Sequence, residues 1–332
     1  MNGRGRAPAR HWAAIGENTC AAGIWFLWGV HRLLGRWPLR LVLYPVVVFH
    51  WARNRGAREA SLEYLRRLHA SRGVPMCAPE TQPGLGHGLR HFISFAETIV
   101  DKLLAASGRY RFERVRYQGA EAMQALLASG RGGVLVTGHV GCLELCQAAA
   151  GRQPGLRLTV LVHTRHAERF NRVLRRLDPA SPVRLLQVTE VDAATAVSLG
   201  ERVANGEFIA IAGDRVPVNA GQTVMAPFLG HDAPFPVGAY VLAALFRCPL
   251  LMLGCVRVGR GHLVSFEVLA ERVELPRAGR EQALAAHAAL FAGRLENLLV
   301  QAPYDWFNFF PFWAQPVART AGRPEKHTPR TP

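Results

Sequence analysis

Acidic residues are scarce in this chain, 24 against 40 basic ones among 332 residues, and only 19% of the sequence is charged while 49% is hydrophobic. Soluble domains usually carry about 25% charge, so a large core is easily built and apolar surface is left over. The imbalance amounts to +16 and implies anionic partners. Nucleic acid, anionic lipid headgroups and acidic carrier proteins all meet that description. Other things are missing too. None of the six cysteines, Cys20, Cys77, Cys142, Cys146, Cys248 and Cys255, forms a C-x-x-C pair. Thiols in apolar runs behave as small hydrophobes, so the sequence implies a reduced compartment and no metal site. His163 and His166 have helical spacing but no third ligand beside them. No apolar run reaches the roughly 18 residues of a clean membrane span, and no small-residue cleavage site follows the arginine-rich start. No G-x-S-x-G elbow is present, which argues against a serine hydrolase. Gly84 to Gly88 lacks the strand and third glycine of a dinucleotide fingerprint. No internal repeat is visible.

What is there begins with a broken apolar region. Ala21 to Val30 and Leu41 to Phe49 are apolar, and His31, Arg32, Gly35, Arg36, Trp37, Pro38 and Arg40 lie between them. Arginines flanking apolar stretches, with Trp25, Trp28, Trp37 and Trp51 among them, suit the headgroup level of a membrane better than a nucleic-acid groove. An interfacial or re-entrant hairpin is expected, with a single tilted span as the alternative. Residues 1–56 are thus assigned to a basic membrane-associating segment, 57–316 to the main domain, and 317–332 to a flexible tail.

From residue 57 the periodicity predicts helices over 57–70 and 89–106. Beyond 109, short β-rich runs alternate with helical ones. Strands are expected over 134–137, 156–162, 184–188, 208–212, 250–256 and 263–269. Helices are expected over 142–150, through Phe170 and Leu174, and over 193–204, 239–246 and 280–300. This alternation predicts an α/β fold, a mixed and largely parallel sheet flanked by helices, behind the N-terminal helical region.

The window from Gly132 to Glu144 is the most informative. A buried strand ends at Thr137-Gly138, and a helix starts just after His139. Strand ends of this kind are where α/β proteins place reactive groups. His139 and Glu144 can meet only if His139 sits in the turn before the helix, which Gly138 and Gly141 permit. A histidine supported by a carboxylate is a good general base toward a hydroxyl. Taken alone, the spacing also suits a helix-capping histidine and a solvated glutamate.

Further blocks follow in order: His163 to Asn171, Gly206 to Arg215, Pro227 to Gly230, and Trp306 to Trp313. With the first block, this ordered set resembles the H-x4-D/E acyltransferases of the lysophospholipid acyltransferase superfamily, over roughly residues 15–315. Within it, the set is most similar to the bacterial branch holding the late lauroyl and myristoyl acyltransferases of lipid A synthesis. The chain departs from that pattern at Arg215, where glutamine is usual, and at Asn308 and Pro311, where basic residues are usual. These departures leave the acceptor open.

The resemblance implies an O-acyltransferase with His139 and Glu144 as catalytic pair. It implies acceptor contacts from Arg165, Arg169, Asn171, Asp214, Arg215, Phe228 and Gly230. It also implies an acyl carrier protein thioester as donor, or a coenzyme A thioester, with no cofactor and no metal. A lipid or glycolipid hydroxyl would be the acceptor. An acidic carrier protein and an anionic membrane surface would be the partners, not nucleic acid, at the cytoplasmic face of a bacterial inner membrane. Two alternatives stay open: a lipid hydrolase or thioesterase with the same pair, and a non-catalytic basic membrane or nucleic-acid binder.

Overall fold

The computed structural model describes residues 21–74, 76–78, 80–150, 155–162, 168–179, 181, 183–216 and 222–315. The expectations for the extreme N-terminus, the tail from 317, His163, Arg165 and His166 lie outside them.

The chain opens with a helical hairpin, α1 (Ala21–Leu34) and α2 (Arg36–Arg53). Gly35, at φ 85°, turns the corner between them. Asn54 then caps α3 (Arg55–Arg72) by accepting from the Ala57 N–H at 3.2 Å. The long helix α4 (Leu85–Ala106) follows. Ile24, Trp28, Leu39, Leu43 and Val47 of the hairpin form one cluster with Val100, Leu103 and Leu104 of α4. The hairpin's other side is apolar as well, and Leu33 (82% exposed), Trp37 and Leu41 (both 75%) face outward.

The rest is the expected α/β alternation: β1 (Val115–Gln118), α5 (Ala120–Ala128), β2 (Gly133–Thr137), α6 (Leu143–Ala150), β3 (Arg157–Val162), α7 (Glu168–Leu177), β4 (Val183–Gln187), α8 (Ala193–Ala204), β5 (Glu207–Ala212), β6 (Thr223–Phe228), β7 (His231–Pro236), α9 (Gly238–Phe246), β8 (Leu250–Val258), β9 (Gly261–Ala270) and α10 (Arg280–Gln301). Seven strands form one sheet in the order β1-β9-β8-β2-β5-β3-β4. All neighbours are parallel except β8 and β9. The central strand β2 is buried at every residue, as a strand covered on both faces must be. Its side chains alternate. Val134 and Val136 join Ile209, Met252, Tyr240, Phe291 and Leu295 on the α9–α10 face. Leu135 joins Phe208, Leu251, Met123, Leu145 and Cys146 on the α5–α6 face.

Among the described residues α10 alone is long and apolar enough to cross a membrane. Its Leu284, Ala288, Phe291, Leu295 and Leu299 are fully buried in the main core, the burial pattern of a helix packed on a sheet.

Four elements were not expected from the sequence, β1, α5, β6 and β7. β1 and α5 are short and carry little alternation. The antiparallel hairpin β6–β7 contains Pro227, Pro234 and Pro236, which disguise it, since proline is poor in sheets outside edges. Its turn puts Leu229 at φ 50° and Gly230 at φ 77°, the two positive values of a tight two-residue hairpin. Glu296 of α10 supports the strained leucine by accepting its N–H at 2.6 Å.

Candidate active site

β2 and β5 are level neighbours, with Thr137 opposite Ala212. Two residues beyond each strand end stand His139 and Asp214. The parallel register alone therefore brings them together. Asp214 is fully buried, and its Oδ1 lies 2.7 Å from His139 Nδ1. A carboxylate only accepts, so Nδ1 carries the proton and Nε2 carries the lone pair. The imidazole is 46% exposed, so that lone pair belongs to an accessible group.

The other carboxylate oxygen is held from three sides. Asp214 Oδ2 accepts from the His139 backbone N–H at 2.8 Å and from the Trp306 indole N–H at 2.9 Å, and Arg215 lies 3.5 Å away. Burial works against the carboxylate charge. His139, Arg215 and these donors outweigh it and hold Asp214 well below the usual carboxylate range. For His139 the balance runs the other way. Close packing behind the ring and the charge of Arg215 lower its pKa, Asp214 opposes them, and Lys102 adds to the lowering. The imidazole is thereby kept neutral and able to accept a proton.

The turn carrying His139 is bound by the segment after α10. Val140 forms a bridge with Trp306, the Phe307 N–H donates to the His139 carbonyl at 2.9 Å, and the Gly141 N–H donates to the Asp305 carbonyl at 2.8 Å. Gly141 is needed there. Its φ is 58°, and a Cβ on it would lie 1.8 Å from the Cys255 carbonyl oxygen. Arg215 completes the wrap by donating to the Phe307 carbonyl at 3.0 Å, with its guanidinium over the Phe310 ring.

Glu144 lies in the first turn of α6, and its hydrogen bond runs to Lys102 of α4, Nζ to Oε1 at 2.8 Å. The structure thus brings His139 together with Asp214, and Glu144 together with Lys102. The other expected site residues are more scattered. Arg215 is at the site. Phe228 is fully buried among Phe235, Trp306 and Phe312. Gly230 is at the exposed hairpin tip, and Asn171 is half-buried on α7. Arg169 is also on α7, and its side chain is outside what the structure describes.

Sequence reasoning missed Lys102 and Trp306 as site residues and gave Asp214 a different task. The available signal was Gly213-Asp214 following an apolar strand, the same strand–glycine–polar pattern that singled out His139.

A comparison with curated proteins finds no match. The model of the bacterial lipid A biosynthesis acyltransferases matches residues 95–315, a span running from α4 to the aromatic segment that wraps the His139 turn. That span contains every residue of the site just described, so the chain belongs to this family and is an acyltransferase acting on lipid.

Proposed function

We propose that the chain transfers a fatty acyl group from a thioester, carried by acyl carrier protein or coenzyme A, to a hydroxyl of a lipid or glycolipid, with His139 as general base. The observation that carries this reading is the His139–Asp214 pair, 2.7 Å apart, with a His139 side chain that is 46% exposed. The acceptor hydroxyl gives its proton to Nε2 as its oxygen attacks the thioester carbonyl. The tetrahedral intermediate then collapses, the C–S bond breaks, and the sulfur leaves with the proton that Nε2 held. Asp214 keeps Nδ1 protonated and stabilises the imidazolium between the two steps, the task that orienting carboxylates perform in hydrolytic triads. Glu144, the acidic residue of the H-x4-E spacing, contributes at the same site through the charge of Lys102.

The exposed apolar side of α1–α2, with Leu33, Trp37 and Leu41, supports docking on a membrane where a lipid acceptor resides. The +16 charge suits an anionic bilayer surface at the cytoplasmic face of an inner membrane, and an acidic carrier protein.

The test is transfer of labelled acyl groups from a carrier-protein thioester to a membrane lipid extract. His139→Ala is expected to lower the rate by about 10²–10⁴-fold with its melting temperature retained. Asp214→Asn should lower it by a similar order, since the ring loses its anionic partner. Full activity in a folded His139→Ala protein refutes the reading. Thioester cleavage without acylated lipid moves the assignment to a hydrolase.

A further inference from the structure

Arginine is the cation of this chain. Of its 40 basic residues only Lys102 and Lys326 are lysines, and Lys326 is in the tail. The one lysine among the described residues is set into the active site, with a side chain 21% exposed and bonded at 2.8 Å to a Glu144 that is itself 18% exposed. An ammonium has three N–H donors. Glu144 uses one, which leaves donors free for a second anionic oxygen. Arg215, the other cation at the site, is already committed to the Phe307 carbonyl and the Asp214 carboxylate. Glu144 has capacity left as well, because its buried Oε2 has no hydrogen-bond partner. Glutamate therefore holds the lysine without exhausting either group.

A lysine is also the better choice for such a task. It is a compact point charge with rotatable donors, whereas guanidinium has a fixed planar fork. α4 brings Lys102 to the first turn of α6, which begins just after the His139 turn, and its charge acts on His139. We propose that the Lys102 ammonium, held by Glu144, receives the negative charge that develops on the thioester carbonyl oxygen during acyl transfer. This rests on the reading of His139 as base, and it makes Glu144 a positioning residue that acts through Lys102.

The electrostatics agree. Burial opposes the ammonium charge, but Glu144 outweighs it, with Cys142 and Cys255 also facing the group, and the pKa of Lys102 is raised. The charge is felt at His139, where it lowers the basicity. As the hydroxyl oxygen attacks, the carbonyl π pair moves onto oxygen and its charge is met by Lys102. The pair returns when the C–S bond breaks, and no proton leaves the lysine.

The experiment compares Lys102→Met, Lys102→Arg, Glu144→Gln and the double variant Lys102→Met/Glu144→Gln in the transfer assay above, with melting curves. The double variant removes both charges and leaves no unpaired carboxylate, so it tests the idea even where Lys102→Met alone fails to fold. Loss of an oxyanion donor costs about 10²–10³-fold in kcat. That loss is expected for Lys102→Met and for the double variant, with KM for both substrates little changed and partial recovery in Lys102→Arg. The Glu144→Gln defect should vanish in the Lys102→Met background. The acidic limb of the pH profile, set by deprotonation of His139, should move to higher pH without Lys102, because a cation near His139 has gone. Wild-type kcat in either Met variant overturns the inference. So does a defect confined to KM for the acceptor, which would make Lys102 a group for binding acceptor anions. His139→Ala separates the two levels. If it is inactive while the folded Lys102→Met/Glu144→Gln protein is active, only the role of Lys102 fails. If His139→Ala is active, the reading beneath it fails.

Discussion

A carboxylate has more acceptor positions than one histidine can occupy, and what fills the rest decides where it points. At Asp214 three donors crowd Oδ2, which leaves Oδ1 to the imidazole. Trp306 is the one of them whose donor can be removed with little change of shape. Trp306→Phe keeps an aromatic ring in the cluster of Tyr64, Phe228 and Phe312 and deletes a hydrogen bond to a charged group. Such bonds are worth about 1.5–3 kcal/mol. A fall in kcat on the order of tenfold is expected. A less well solvated Asp214 draws more strongly on the imidazolium, so the His139 limb of the pH profile should move upward. Phe312→Leu in the same cluster supplies the control, with comparable loss of melting temperature and no movement of the limb. An unmoved limb in Trp306→Phe would reduce the tryptophan to packing.

At the scale of elements, the segment after α10 is what turns a strand end into a site, and α4 fixes that segment. Ser94 donates to Asp305 Oδ1 at 2.8 Å, and the Arg257 N–H donates to its Oδ2 at 2.6 Å. His91 Nε2 lies 2.8 Å from the Trp306 carbonyl, so Nε2 holds the proton and Nδ1 accepts from Ser61 of α3 at 2.9 Å. His91 is fully buried, which pushes its pKa down to about 4 against the hydrogen bond to Trp306. The unfolded chain binds a proton near the ordinary value of about 6.5, so between these limits the unfolded state binds more protons. Stability should therefore fall as pH drops from about 6.5 to about 4, by up to roughly 3 kcal/mol, and this contribution is constant outside that window. Asp214 acts in the same direction but at lower pH, below the ordinary carboxylate range. Urea midpoints measured across the window should fall for the wild type and flatten for His91→Gln, which retains one donor and one acceptor. Equal slopes in both proteins would show that the buried imidazole is not the acid-sensitive group.

At the scale of the molecule, the hairpin α1–α2 has two apolar sides, and one of them packs on α4 and α7. Ile24, Trp28, Leu39 and Leu43 pack inward, while Phe26, Leu33, Leu34, Trp37, Leu41 and Phe49 face out. A soluble surface rarely keeps a contiguous patch of that kind without a use. Flotation with anionic vesicles at low salt should capture the intact protein. Leu33→Ser, Trp37→Ser and Leu41→Ser together should release it without loss of melting temperature, because all three side chains are exposed. An intact chain that stays unbound at low salt removes the membrane from the proposed function.

The fold and half of the site follow from the sequence alone. Alternating apolar runs produce the parallel α/β order, since local periodicity reports burial on one or two faces. His139 is marked by the same local signals, an apolar strand, a glycine turn and a helix start. The partners of His139 and Glu144 are not local. Asp214 lies 75 positions from His139 and meets it because β5 pairs with β2 in a register that levels their ends. Lys102 reaches Glu144 across 42 positions through the packing of α4 on α6. The hairpin β6–β7 escaped notice for a related reason, its prolines being tolerated only because the strands pair with each other and with no third. Periodicity within a segment cannot say which strand lies beside which. Strand order and register are settled by burial over the whole core, and that is why the tertiary structure alone decides which carboxylate meets His139 and which meets Lys102.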